Sequence, residues 1–142
     1  MPTKPRGKNS VTVQYAVPRR GVPTAALLRK WTLIASSSSP VTLRIVGARE
    51  GRSLNRTFRK IDRATNVLSF HTGDIVLCHP VIRREAKAQG KSLAAHYAHL
   101  VVHGVLHLRG HRHDAKLAAR AMENREIRIL RRLGFGDPYA VK

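Results

Sequence analysis

Two periods of apolar and polar positions run through the first third of the chain. Apolar residues alternate with polar ones from Val11 to Val17 and again from Val41 to Ile45, which predicts two strands. Between these strands, apolar residues from Leu27 to Ile34 recur at the spacing of one helix face, which predicts an amphipathic helix. The chain is therefore expected to begin with a strand, a helix and a second strand.

A short helix and a tight hairpin are predicted next. Leu54 and Phe58 are four residues apart, so we expect them to be buried together on one helix face, with Arg59 near the helix end. The runs from Val67 to Phe70 and from Asp74 to Cys78 are short, apolar and rich in strand-forming residues, with three residues between them. This spacing predicts a β-hairpin.

Three helices complete the chain. Pro80 opens a helix that Gly90 ends, and Ser92 caps the next one, from about Leu93 to Leu108. That helix is apolar nearly all round, as expected of a helix buried in the middle of a domain. Asp114 caps a last helix, whose apolar residues are Leu117, Ala121, Met122, Ile129, Leu130 and Leu133.

The order of these elements indicates the fold class. Strands are mixed with helices of unequal length and without a regular strand–helix alternation, which predicts an α+β fold. We expect one small domain over residues 11–142, with a small mixed sheet packed against helices and a central buried helix. Residues 1–10 carry Lys4, Arg6 and Lys8 among Pro, Gly, Asn and Ser, and are predicted to form a flexible basic arm.

Charge points to a polyanionic partner. The 142 residues include 27 Lys and Arg against 8 Asp and Glu, a formal net charge of +19. Such a field attracts RNA or DNA, although a generally solvated basic surface would have the same composition. The single cysteine, Cys78, lies in an apolar run and fits buried packing in a reducing compartment. Without an apolar run of membrane length or a signal peptide core, the chain is expected to be cytoplasmic.

Three histidines at characteristic spacing predict a metal centre. His103 and His107 are one helical turn apart, and Gly110 can turn the chain so that His113 approaches them. Three neutral imidazoles with an open fourth position are typical of a catalytic zinc site. His96 and His99 fall on the same stripe of the helix, where we expect them to be hydrogen-bonded beside the site rather than to bind the ion.

The spacing HxxxHxxGxxH also occurs in metzincin peptidases, where the residue after the first histidine is a glutamate that acts as general base. Here that residue is Gly104, which has no carboxylate to accept a proton from water. The peptidase interpretation is therefore disfavoured, while metal binding by His103, His107 and His113 is not affected.

Four ordered sequence blocks resemble the bacterial YbeY family of endoribonucleases, also called rRNA maturation factors. The blocks are LNRTFRKIDRATNVLSF from Leu54 to Phe70, GDIVLCHPVIRREA from Gly73 to Ala86, HLVVHGVLHLRGHRH from His99 to His113, and MENREIRILRRLGFGDPY from Met122 to Tyr139. The resemblance covers nearly the whole chain from residue 11 to Tyr139.

The resemblance implies a single zinc ion held by His103, His107 and His113, and a functionally important arginine at Arg59. It also implies a single-strand-specific endoribonuclease that acts in 16S rRNA 3′ end maturation and ribosome quality control, with the small ribosomal subunit as a partner. The chain departs from the family in having Arg112 where members usually have an acidic residue, and in a short connection between the LSF and GDI strands.

The chemistry of the predicted site and the family resemblance both indicate phosphodiester hydrolysis. Neutral imidazoles leave the charge of an ion available to a phosphate, and Arg59 can add a bidentate grip on the same group. Asp62 and Asp114 are the acidic candidates for hydrogen-bond partners of the histidine rings or for a general base. Alternatively, Arg59 forms a surface ion pair with an acid such as Asp62.

A second interpretation of the whole chain remains open at this point. The protein could be an RNA-binding ribosome assembly factor whose metal is structural and which has no turnover of its own. In either case we expect single-stranded RNA as the partner, because one extended backbone fits a narrow site that a duplex does not. A monomer is the expected state.

Overall fold

The computed structural model describes residues 10–35, 40–108 and 116–140, with side chains in the last range from residue 119 onward. The basic arm predicted for residues 1–10 therefore lies almost wholly outside the described residues. The strands are β1 (Val11–Tyr15), β2 (Val41–Val46), β3 (Val67–Phe70) and β4 (Asp74–Cys78). The helices are α1 (Ala25–Ala35), α2 (Ala48–Arg59), α3 (His79–Gln89), α4 (Leu93–Leu108) and α5 (Lys116–Arg132).

One mixed sheet in the order β1-β2-β4-β3 forms the centre of the fold. β1, β2 and β4 are parallel, with Val13 opposite Leu43 and Leu43 opposite Ile75. β3 is antiparallel to β4, with Val67 opposite Leu77, so the predicted hairpin is confirmed. Together with the helices, this sheet confirms the α+β fold class.

Helices cover both faces of the sheet. On one face, α1 and α4 pack on Leu43, Ile45 and Ile75 in the larger core. On the other face, a smaller cluster of Val46, Val76 and their neighbours packs against α2. Because β2 and β4 are covered on both sides, nearly all of their residues are buried, although β2 includes Thr42 and Arg44. Cys78 is buried in the smaller cluster, as predicted.

Helix α4 lies in the middle of the domain with the predicted bounds. Its start is capped by Ser92, whose Oγ accepts a hydrogen bond from the backbone N–H of Ala95 at 3.0 Å. Gly90 ends α3 in the left-handed conformation at φ 64°, which a glycine adopts without strain. Within the described ranges, no helix is long and apolar enough to cross a membrane.

Two details of the predicted burial are wrong. The buried face of α1 consists of Leu28, Trp31, Thr32 and Ala35, while Leu27 and Ile34 are exposed. The apolar stripe of α1 is wider than the surface it packs on, so periodicity alone misplaced its centre. Phe58 is 58% exposed rather than buried, although its ring contacts the edge of Phe70 with a centroid distance of 5.1 Å.

Candidate metal centre and active site

A row of four histidines runs along one side of α4. The ring centroids of His96 and His99 are 6.4 Å apart, those of His99 and His103 6.2 Å, and those of His103 and His107 5.8 Å. The row begins at a buried side chain, His96, and ends at an exposed one, His107. A ligand that enters from solvent would therefore meet His107 and His103 first.

The structure tests part of the predicted ligand set. His103 and His107 lie side by side, as their spacing of one helical turn requires. Gly110, His113 and Asp114 lie outside the described residues. The set of His103, His107 and His113 therefore stays a prediction.

A buried carboxylate from α5 joins the histidine row. Glu126 has no solvent exposure, and its Oε1 lies 2.9 Å from His99 Nε2 and 3.2 Å from His103 Nδ1. The hydroxyl of Tyr139 donates a hydrogen bond of 2.7 Å to the same oxygen. Three donors, two from α4 and one from the segment after α5, thus converge on one carboxylate oxygen. We call Glu126, His99, His103 and Tyr139 the carboxylate cluster.

Burial and hydrogen bonding shift the pKa values of Glu126 and Tyr139. Burial would raise the pKa of Glu126, but hydrogen bonds from His103, His99 and Tyr139 outweigh it and lower the pKa to about 2. Burial and the neighbouring Glu126 carboxylate raise the pKa of Tyr139 well above its usual value, so its hydroxyl stays protonated. Glu126 is therefore an ionised acceptor at neutral pH.

An ionised acceptor determines the tautomer of His103. Because Glu126 can only accept, the His103 nitrogen that faces it, Nδ1, must carry the hydrogen. In the neutral ring the lone pair then lies on Nε2, the nitrogen that a zinc ion would use. Histidine ligands of metals are commonly held in this way by a carboxylate on the other ring nitrogen. The side chain of His103 is 32% exposed, which leaves a route for an ion.

A second set of ligands, which includes Glu126 itself, could also hold a metal ion. His99, His103 and Glu126 each offer one ligand atom, and these atoms all lie within 4.8 Å of one another, so the three residues could hold a metal ion. Imidazole and carboxylate donors suit zinc and related divalent ions. Within the described chain, Oε2 of Glu126 and Nδ1 of His99 are buried without hydrogen-bond partners. Both possible ligand sets include His103.

Close packing explains why residue 104 is a glycine. A Cβ at Gly104 would lie 3.2 Å from Ser69 Oγ and 3.2 Å from Ile75 Cγ2, closer than side chains normally pack. The residue after His103 thus faces strands β3 and β4 and not the histidine row. A glutamate at this position could not serve as the general base that a metzincin peptidase needs.

The acidic partner of His103 is Glu126 and not Asp62. Asp62 forms a bidentate ion pair with Arg52, with N···O distances of 2.8 and 3.0 Å, so the predictions that it holds a histidine ring or pairs with Arg59 are wrong. Its role as a general base stays a prediction. The sequence did contain a signal for Glu126. It lies four residues after Met122 and four before Leu130, which are both buried, so it is a charged residue on the apolar stripe of α5.

Arg59 has the backbone position that was predicted. It is the last residue of α2, and Lys60 after it adopts the left-handed conformation at φ 61° that ends the helix. The side chain of Arg59 is exposed, and the preceding Phe58 contacts Phe70 of β3. Its role as a phosphate clamp stays a prediction.

Comparisons with known proteins agree on one family. A family model described as endoribonuclease YbeY matches residues 24–134. An endoribonuclease YbeY of Stenotrophomonas maltophilia is 48% identical over 149 residues, covering 92% of this chain and 92% of the relative. Another, from Nitrosomonas eutropha, is 49% identical and covers 93% of this chain and 99% of the relative.

A solved structure shares the fold. The solution structure of a Thermotoga maritima protein matches with a TM-score of 0.53 and 18% sequence identity, covering 92% of this chain and 99% of that one. At that identity the match supports the architecture alone. The family model and the closely similar relatives go further, and by them the chain belongs to the YbeY family of endoribonucleases.

Proposed function

We propose that this protein is a zinc-dependent endoribonuclease that cleaves single-stranded RNA. One zinc ion would be held by His103, His107 and His113, with Glu126 fixing the orientation of His103. The observation that carries the proposal is the hydrogen bond between Glu126 and His103 Nδ1, because it leaves the lone pair of a neutral His103 on Nε2, in a ring whose centroid is 5.8 Å from that of His107. The family membership supplies the reaction class.

Glu126 and Arg59 would have different roles in the hydrolysis of a phosphodiester. A bound zinc ion supplies Lewis-acid chemistry to the phosphate and lowers the pKa of water in the site. Glu126 prevents the His103 ring from rotating, since the carboxylate is itself held by His99 and Tyr139. Arg59 would grip the phosphate through two parallel hydrogen bonds.

The substrate and setting are proposed from charge and resemblance. A net charge of +19 favours a polyanion, and a single RNA strand can reach a narrow site that excludes a duplex. We place the activity in 16S rRNA 3′ end maturation and ribosome quality control in the cytoplasm, with the small ribosomal subunit as partner and the protein as a monomer. The lone buried thiol of Cys78 is compatible with a reducing compartment.

The test is a paired measurement of zinc content and cleavage. Wild-type protein should bind one zinc ion and cleave single-stranded RNA, and His103→Ala should lose both. Persistent cleavage by His103→Ala would assign the activity to a contaminant and favour an RNA-binding assembly factor. Zinc retained without cleavage in wild type would favour the same alternative, in which the metal is structural.

Two further variants separate the possible ligand sets. If zinc is held by His103, His107 and His113, His107→Ala should lose the ion and His99→Ala should keep most of it. The opposite result would place the metal among His99, His103 and Glu126. His103→Ala cannot distinguish the two sets, because His103 belongs to both.

A further inference from the structure

A cavity of about 520 Å³ opens beside the carboxylate cluster. Its wall includes His99 and Tyr139, which also bind Glu126, so the cavity and the proposed metal centre share two residues. The lining also includes Asn66, Glu85 and His96, the last of which lies in the first half of α4. The volume lies within the range of small-molecule binding sites.

Glu85 is held in the cavity wall by two hydrogen bonds. Asn66 Nδ2 donates to Glu85 Oε1 at 3.0 Å, and His96 Nε2 lies 2.9 Å from the same oxygen. His96 is only 3% exposed, so one of the two supports is a buried ring. Across the described residues, nothing donates a hydrogen bond to Glu85 Oε2, and the side chain is 32% exposed. Oε2 is therefore an acceptor whose orientation is fixed through Oε1, on a side chain that lines the cavity.

A fixed carboxylate in this place is unexpected in a protein that binds RNA through its charge. The chain has only 8 acidic residues against 27 basic ones, and a carboxylate repels phosphate. It does accept hydrogen bonds from N–H groups, as carboxylates do from the amino group of cytosine. The part of an RNA strand that suits Glu85 is therefore a base. The lysine of the same lining, Lys91, donates a hydrogen bond of 3.1 Å to the carbonyl oxygen of Pro138.

The remaining walls also suit a base. The ring of Tyr139 belongs to a residue that is 41% exposed, and Leu100 and Pro138 add apolar surface. Aromatic rings of this kind form the stacking surfaces on which proteins hold unpaired bases. His99 connects the cavity to the histidine row, since its ring centroid is 6.2 Å from that of His103. A base in the cavity would thus belong to a nucleotide next to a phosphate at His103.

We propose that this cavity is a nucleobase subsite in which Glu85 Oε2 accepts a hydrogen bond from an exocyclic amino group of an unpaired base. The inference rests on the proposed function, because it assumes that an RNA strand reaches His103. Adenine, cytosine and guanine carry an exocyclic amino group and uracil does not. The subsite therefore gives the enzyme a preference against uracil at one position near the cleaved bond.

The experiment compares short oligouridines that carry a single adenosine, cytidine or guanosine at successive positions. For wild-type holoenzyme we expect kcat/KM to rise about tenfold or more when an amino-bearing base occupies one particular position, since one hydrogen bond to a charged acceptor is at stake. Equal cleavage of all substrates at every position would overturn the subsite. This comparison requires no variant, so it does not depend on how a mutant folds.

A matched pair of variants assigns the preference to Glu85. Glu85→Gln removes the charge at nearly constant size and should abolish the preference while oligouridine is still cleaved. Glu123→Gln, which changes an exposed glutamate of α5, should leave the preference unchanged. A preference that persists undiminished in Glu85→Gln would refute the role of Glu85. Zinc content of both variants, measured in parallel, should equal that of wild type.

Binding separates failure of the subsite from failure of the proposed function. The same oligonucleotides are titrated by fluorescence anisotropy against His107→Ala, which should not cleave them. Tighter binding of amino-bearing bases without any cleavage of RNA by wild-type protein would contradict the endoribonuclease proposal and support the subsite. Cleavage with no base preference in either rate or binding would support the endoribonuclease proposal and contradict the subsite.

Discussion

The exchange of Glu126 for glutamine is the sharpest perturbation of the proposed metal centre. Glutamine keeps the size of the side chain and one oxygen that can accept a hydrogen bond, but it removes the negative charge. In the wild type, Oε1 of Glu126 accepts hydrogen bonds from three donors, and the low pKa of about 2 keeps the group ionised. Glu126→Gln therefore weakens the hold on the His103 ring without opening a cavity.

The expected loss is in zinc affinity. Carboxylates that hold a histidine ligand typically contribute 10- to 100-fold to metal affinity, so Glu126→Gln should weaken zinc binding by about that factor, or about 1.4–2.7 kcal/mol. Glu126→Ala should do more harm, because the N–H groups of His99 and His103 lose a charged hydrogen-bond acceptor, at about 1–3 kcal/mol each. His99 Nε2 then keeps the Tyr139 hydroxyl, 3.1 Å away. The alanine variant should therefore also lose stability.

Competition with a chelator of known zinc affinity measures the first effect, and urea unfolding measures the second. Glu123→Gln is the control, since Glu123 is exposed on the same helix one turn earlier and should bind zinc like wild type. Unchanged zinc affinity in Glu126→Gln would refute the role of Glu126 in holding His103. Complete loss of zinc would mean that Glu126 is itself a ligand.

Three further predictions concern other parts of the molecule. Arg59→Ala and Arg59→Lys should both slow cleavage about 30- to 1000-fold with unchanged zinc content, because a lysine ammonium cannot form the two parallel hydrogen bonds of a guanidinium. Normal cleavage by either variant would refute the clamp, and Arg56→Ala on the same helix is the control. RNA affinity should fall linearly on a log–log plot against salt, by about 0.7 per phosphate contact, and a flat line would contradict a charge-driven interface. Burial lowers the pKa of both His79 and His96 below 6.5, so the unfolded chain binds more protons there and the free energy of unfolding should fall as the pH drops below about 6.5; a rise in urea titrations would disprove it.

Elements with strong local signals were predictable from the sequence. The bounds of α4 follow from the cap at Ser92 and a run that is mostly apolar apart from its four histidines. The β3–β4 hairpin follows from two apolar runs separated by three residues. The sheet order β1-β2-β4-β3 was not predictable, because it depends on which strands meet after the helices pack. Burial on α1 was misjudged for the same reason.

The candidate site likewise has a part that local sequence signals predict and a part that depends on packing. His103 and His107 are neighbours because of helix geometry alone, so their spacing revealed them. Glu126 lies 23 residues beyond His103, and Tyr139 lies 40 residues beyond His99. Both reach the histidine row only because α5 and the segment after it pack on α4. The sequence shows that Asp62 is acidic and close to Arg59 along the chain, but not that the fold pairs it with Arg52.

Titration of zinc into metal-free protein, with cleavage of single-stranded RNA followed at each step, tests the central claim most directly. The proposed site predicts that the cleavage rate rises linearly and reaches its maximum at one zinc ion per chain, and that His107→Ala stays inactive throughout. Full cleavage by the metal-free protein, or a maximum that His107→Ala also reaches, would contradict the claim that these histidines form the catalytic metal centre.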